Sequence, residues 1–309
     1  MSVAVCAALL LQACAGNEAK TSDVAAGVEA CATSSGRHEG DKTIALCNTV
    51  LTMNGLTAEL QARALAARGS AYNEKADYPR AIADFDKVIS LQPSVFAYAS
   101  RGYAYAMNGD FPASIRDLDR AIQMRPAAEL HANRAWSYMM QGDLTSALSD
   151  FSKAAELNPK LTNIYENRST LYFIRGEYDL AAADVEKAVE LDPGNPFGYI
   201  WLYIDTRRDH RDASWVLQKA AQANAGWPSV LLRFIQGKAT ELNVHEEVRS
   251  GPLGAVSVER DCHTQLILGE LALLDRWTDT AGSRFRYAST NCPFAQSERI
   301  IADAELKRM

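Results

Sequence analysis

The chain lacks an apolar run long enough to cross a membrane. Its N-terminal stretch from Val3 to Leu11 falls far short of the roughly 20 residues a spanning helix needs. It also lacks a surplus of positive charge: 32 Lys and Arg against 38 Asp and Glu leave a net charge of −6. That excludes a broad basic surface for phosphates, so no nucleic-acid partner is expected. Nor is there an HExxH, GxSxG, GxxxxGK[ST] or CxxC motif, which removes the common hydrolase, nucleotide-binding and thiol-redox chemistries. The histidines, His38, His131, His210, His245 and His263, are dispersed, and His245-Glu246-Glu247 suits a solvated helix face better than a metal site. Gly251-Pro252-Leu253-Gly254 reads as a connector, not a phosphate cradle. No catalytic residue, cofactor or metal is expected. Six cysteines are too few for a small disulfide-dense scaffold. What is present is 309 residues, 48% of them hydrophobic and 23% charged, the balance of a folded soluble chain with a real core.

A repeat organises the middle of that chain. From Gly69, Tyr72 follows at +3, Ala81 at +12, Phe85 at +16 and Pro93 at +24. The same offsets give Tyr105, Ser114, Leu118 and Pro126 from Gly102, and Tyr138, Ala147, Phe151 and Pro159 from Ala135. From Ser169 they give Tyr172, Ala181, Val185 and Pro193. Small residues at the anchor and at +12 let two antiparallel helices approach, and the bulky +16 residue fills the space between them. Asn108-Gly109-Asp110, Gln141-Gly142-Asp143 and Arg175-Gly176-Glu177 supply the turn inside each hairpin, and the Pro at +24 ends the second helix. Such hairpins cannot bury their faces alone and must stack.

This pattern resembles the tetratricopeptide repeat (TPR). The resemblance implies an all-α solenoid of helical hairpins wound as a right-handed superhelix, with four repeats at 62–195. Around them the pattern wears down. A degenerate hairpin at 24–57 is anchored on Cys31, a degenerate helical region covers 196–261, and a last repeat at 262–295 is anchored on Gly269. Within 196–261, helices are predicted at 196–205, 213–224, 227–236 and 239–249. The segment 296–309 is predicted as a helix capping the open end.

The repeat frame gives two sets of residues a meaning. Cys31 and Cys47 occupy anchor and +16 sites, while Cys262 and Cys292 bracket the last hairpin. Both pairs fall within reach of a disulfide, the alternative being four reduced core cysteines. Arg68, Arg101, Arg134 and Arg168 each precede an anchor, and Asp84, Asp117, Asp150 and Asp184 each lie sixteen residues further on. A structural ladder of ion pairs is expected, with an anion-binding row as the alternative.

The N-terminus reads as an address. Residues 1–13 have the size of a signal segment and end at Leu11-Gln12-Ala13-Cys14, which resembles a bacterial lipobox. Cys14 is then the lipidated residue, 14–23 a polar tether, and Ala15 points to an outer-membrane lipoprotein facing the periplasm. The alternative is a short buried helix with Cys6 and Cys14 free. A lipid anchor places the disulfides in an oxidising compartment.

In TPR solenoids the first helix of each hairpin lines the concave face. The inward offsets there collect Phe96, Tyr103 and Met107, then Trp136, Met139 and Met140, then Phe173 and Ile174. Large apolar residues on a solvated face call for a partner, so these eight are the candidate groove for protein or peptide segments. Met139, Met140 and Ile174 are also compatible with packing between repeats. The order of parts, with Pro196-Phe197-Gly198-Tyr199-Ile200-Trp201-Leu202-Tyr203 and a last repeat opening Leu266-Ile267-Leu268-Gly269-Glu270, resembles the NlpI-type TPR lipoproteins. That resemblance implies a homodimeric outer-membrane adaptor joining a periplasmic protease to peptidoglycan hydrolases. A TPR pilotin or outer-membrane assembly factor, and a cytosolic co-chaperone-like scaffold, are the competing readings.

Overall fold

The computed structural model describes residues 23–34, 39–220, 228–250, 255–293 and 297–309, with the side chains of 255–257 excepted. The expected signal segment, Cys14, nearly all of the tether and the 251–254 connector lie outside them. The described residues are helical with no strand, and none of their helices is long and apolar enough to cross a membrane. They form two compact units, one ending at Ser137 and the other beginning at Tyr138.

Unit 1 contains α1 (23–34), α2 (Gly40–Leu51), α3 (Ala58–Glu74), α4 (Tyr78–Leu91), α5 (Val95–Met107) and α6 (Phe111–Met124). The unit border falls within α7 (Ala128–Gln141). α3 packs on α4, α5 on α6, and neighbouring hairpins meet through α2 with α3 and α4 with α5. Local chemistry explains where each hairpin turns. Gly109 and Gly142 adopt φ of +84° and +87°, left-handed values that L side chains rarely take. The next residue then caps the second helix: Asp110 accepts from the Ala113 N–H at 3.0 Å, and Asp77 does the same for Arg80 at 3.3 Å. That contact satisfies an N–H the helix itself leaves open. Gly69 is needed for close approach, because a Cβ there would lie 3.0 Å from the Phe85 ring. Phe85 and Leu118 are wholly buried in the hairpins they close. Cys31 and Cys47 form a disulfide with Cα atoms 5.2 Å apart, tying α1 to α2.

Unit 2 continues with α8 (Leu144–Leu157), α9 (Thr162–Arg175), α10 (Tyr178–Leu191), α11 (Pro196–Arg208) and α12 (Ser214–Lys219). Then come α13 (Ser229–Ile235), α14 (Glu241–Ser250), α15 (Ala255–Leu274), α16 (Thr278–Asn291) and α17 (Ser297–Arg308). One core joins Phe173 and Val185 to Ile200, Leu231, Leu266 and Phe285. Cys262 and Cys292 form the second disulfide, with Cα atoms 5.7 Å apart.

Two expectations need adjusting here. The degenerate region does not end at residue 261, because α15 runs unbroken from Ala255 to Leu274, a stretch without proline and with no glycine before Gly269. The last helix also does more than cap an end. α17 packs on α16 and α15 and reaches α9 as well. The Arg308 guanidinium donates to the Phe173 carbonyl at 2.9 Å and to that of Ile174 at the C-terminal end of α9, where the Phe173 carbonyl also accepts from the Gly176 N–H at 2.9 Å. Glu305 of the same helix is fully buried and accepts from Arg208 of α11 at 2.8 Å.

Candidate peptide-binding surface

The arginines before each anchor clamp the hairpins. Arg68 holds Asp84 through two bonds of 2.8 and 2.7 Å, Arg101 holds Asp117 through two of 2.7 Å, and Arg168 holds Asp184 through two of 2.6 Å. The remaining nitrogen reaches back along the chain, from Arg68 to Asn48 at 2.6 Å, Arg101 to Asp86 at 2.6 Å and Arg168 to Ser152 at 3.4 Å. Arg134 bonds Asp119 in the same way at 2.5 Å. The Arg68, Arg101 and Arg168 guanidiniums also lie near tyrosine rings, Arg101 at 5.8 Å from that of Tyr105. The fork of arginine suits two parallel bonds to a carboxylate, and Asp84, Asp117, Asp150 and Asp184 are all buried. These groups satisfy one another and leave Arg68, Arg101 and Arg168 little capacity for an outside anion.

Unit 1 carries the exposed part of the expected groove. On α5, Phe96 is 55% and Tyr103 42% exposed, and Met107 is half-buried. On α7, Trp136 is half-buried and meets the Phe111 ring edge-on at 6.0 Å. Phe96 meets Phe85 in the same way at 6.1 Å. Phe96 and Trp136 are thus each held by a core ring while part of each faces solvent. Rigid, half-anchored aromatics give large contact area at low entropic cost on binding.

Unit 2 differs from the expectation. Met139 and Met140 are buried, and Phe173 is only 2% exposed. The Phe173 ring packs edge-on against Tyr178 at 5.2 Å and Trp201 at 5.5 Å, with the Arg208 guanidinium 5.7 Å away. Ile174 packs against the same core. The +4 and +5 offsets border the packed side of a hairpin, and at Phe173 and Ile174 residues of α11 and α17 close over it. Met139, Met140 and Phe173 are therefore buried, and Ile174 is half-buried against the core.

What unit 2 offers instead is a cavity of about 280 Å³ between α9, α11, α15 and α17. Glu166, Thr170, Asn195, Phe197, Trp201, Asp205, His263 and Glu298 are in its wall. Glu166 accepts from Asn195 at 3.2 Å, and burial raises its pKa. The His263 imidazole donates to the Glu259 carbonyl at 2.9 Å and pairs with Glu298 at 2.6 Å. Burial alone lowers the His263 pKa, but the bond and charge of Glu298 outweigh it and the net shift is upward. Glu166 and Thr170 fall at inward offsets of the fourth repeat. His263 falls at an inward offset of the last repeat, whereas Asp205 and Glu298 lie outside the repeats and leave no periodic signal. Among the described residues, no group of three or more His, Cys, Asp or Glu is placed to hold a metal ion.

Paired helices, left-handed turns and small anchors define a TPR solenoid. The tetratricopeptide-repeat family profiles match residues 62–95, 99–162 and 162–195, so the chain carries TPR repeats across its middle and is a scaffold of the protein-interaction type. Two solved structures share the fold. The C-terminal part of a TPR repeat-containing protein from Cytophaga hutchinsonii is 14% identical, with a TM-score of 0.54 over 86% of this chain and 95% of that one. Pseudomonas aeruginosa PilF is 17% identical, with a TM-score of 0.50 over 80% of this chain and 99% of that one. At such identities the likeness concerns the fold alone. No curated protein matches the chain.

Proposed function

We propose that this protein is a non-enzymatic, lipid-anchored adaptor of the bacterial cell envelope that binds protein segments on the apolar face of α5 and α7. The exposed rings of Phe96 and Tyr103, both on α5, the first helix of their repeat, carry this reading. A face with large aromatics in water gains free energy when a partner covers it. The lipobox-like Leu11-Gln12-Ala13-Cys14 and two disulfides support placement at the outer membrane, facing the periplasm. The resemblance at 196–203 and 266–289 to NlpI-type lipoproteins supports a periplasmic protease and peptidoglycan hydrolases as the class of partner.

The reading is tested by in-cell cross-linking of wild type and a Phe96→Ala/Tyr103→Ala/Trp136→Ala variant, with palmitate labelling of wild type and Cys14→Ser. Loss of hydrolase and protease cross-links in the triple variant, with label absent only from Cys14→Ser, is expected. Recovery of a secretin or barrel component instead identifies an assembly factor. Unchanged cross-links, or no label in wild type, refute the proposal.

A further inference from the structure

The described wall of the unit 2 cavity carries more carboxyl groups than cationic ones. Among the described residues, its wall contains three carboxyl groups, Glu166, Asp205 and Glu298, and neither lysine nor arginine. Only Glu298 has a cationic partner in the wall, His263 at 2.6 Å. Glu166 is met by the neutral amide of Asn195. Asp205 is 2% exposed and its Oδ1 has no hydrogen-bond partner. The Arg208 charge acts on this carboxyl from outside the wall, but a buried carboxyl oxygen left without a hydrogen bond is a cost that structures rarely carry without cause. The other half of the wall is aromatic and aliphatic, with Phe173, Phe197, Trp201 and Ile301. Aromatic faces attract cations, and the apolar surface suits an alkyl stem. The volume of about 280 Å³ lies at the lower edge of ordinary ligand pockets, about 300–1,000 Å³, and fits one side chain better than a cofactor.

We infer that this cavity receives a primary alkylammonium group, of the kind a lysine side chain presents, with the stem along Phe197 and Trp201 and the ammonium between Glu166 and Asp205. Burial pushes the Asp205 carboxyl well above its usual range, against the nearby Arg208 charge. An arriving ammonium makes the ionised form favourable, and binding then releases the carboxyl proton to solvent. The inference is independent of the apolar face of unit 1.

The full chain is titrated with n-butylammonium and with 1-butanol at matched ionic strength, binding being followed by ligand-observed NMR. At least tenfold tighter binding of the ammonium is expected, with a loss of tenfold or more in Glu166→Gln and in Asp205→Asn. Glu166 is only partly buried, so Glu166→Gln decides if Asp205→Asn fails to fold, with circular dichroism as the check. Phe96→Ala/Tyr103→Ala keeps full affinity. A heptapeptide with a central lysine, its norleucine counterpart and cadaverine then separate the sources. A lysine peptide tighter than cadaverine assigns a protein side chain, and the reverse assigns a free diamine. Equal binding of butanol and butylammonium, or unchanged affinity in Glu166→Gln, overturns the inference.

Discussion

Asp117 receives both parallel arms of the Arg101 guanidinium at 2.7 Å, while the third arm of Arg101 reaches Asp86 of the preceding hairpin at 2.6 Å. One side chain therefore closes its own hairpin and ties it to its neighbour. Asp117 is buried, so removing the arginine strands a desolvated carboxylate. Arg101→Ala is expected to cost about 3 kcal/mol, the range for breaking a buried pair. Arg101→Lys keeps the charge but loses the fork and is expected to recover less than half. Urea unfolding of the three proteins checks the order, and a lysine variant as stable as wild type would remove the bidentate geometry from the explanation.

Gly269 and Phe285 make a second test of close approach. A Cβ at Gly269 would lie 2.6 Å from the Phe285 ring, against 3.1 Å from Leu118 at the equivalent Gly102. Alanine brings about 1 kcal/mol of helix propensity at either site, and overpacking a core costs about 1–3 kcal/mol. Gly269→Ala is therefore expected to lower the melting temperature, and Gly102→Ala to change it by less. Equal effects would show that the last hairpin yields as easily as the second.

The two disulfides close segments of 16 and 30 residues. Each is expected to contribute about 3 kcal/mol, chiefly by restricting the unfolded chain. Cys31, Cys47, Cys262 and Cys292 should resist alkylation in denaturant until reductant is added, as read by mass spectrometry. The Cys262→Ser/Cys292→Ser variant should unfold at lower denaturant than wild type. Rapid alkylation of all four without reductant would mean reduced thiols in the isolated protein.

Much of this molecule is legible in one dimension because the repeat makes it so. The spacing of Arg68 and Asp84, the glycines at 109, 142 and 176, and the small anchors all follow from a period that aligns neighbouring helices. The contacts that shape unit 2 have no such period. Arg308 meets the Phe173 carbonyl across 135 residues, and Arg208 meets Glu305 across 97. Helical periodicity places Phe173 on an inward offset, but its burial depends on Tyr178, Trp201 and Arg208, which only the tertiary arrangement brings to it. The cavity around Asp205 is hidden for the same reason. In Ala76, His210 and Arg276, φ is +57°, +59° and +65°, in the left-handed region where the turns at 109, 142 and 176 use glycine, so these three turns carry no glycine mark in the sequence.

The buried acids of unit 2 set its response to pH. Burial holds the Asp205 carboxyl well above its usual range, and burial with the nearby Glu305 charge does the same for Glu270. The folded chain therefore keeps protons that the unfolded chain releases above about pH 4, and stability falls as pH rises toward the folded values. His263 acts in the same direction. Its pKa is raised on folding by Glu298 against the effect of burial, so its contribution is complete below about pH 6.5 and is lost as pH rises through the folded value. Glu298 and Glu241 are shifted downward by their cationic partners, and their contributions are lost only in acid, outside this window. Unit 2 is thus expected to be less stable at pH 8 than at pH 5. The slope is about 1.4 kcal/mol per pH unit for each retained proton. Asp205→Asn should flatten that slope, and urea unfolding at the two pH values measures both. Stability that rises between pH 5 and pH 8 would mean that these carboxyls are ionised in the folded chain.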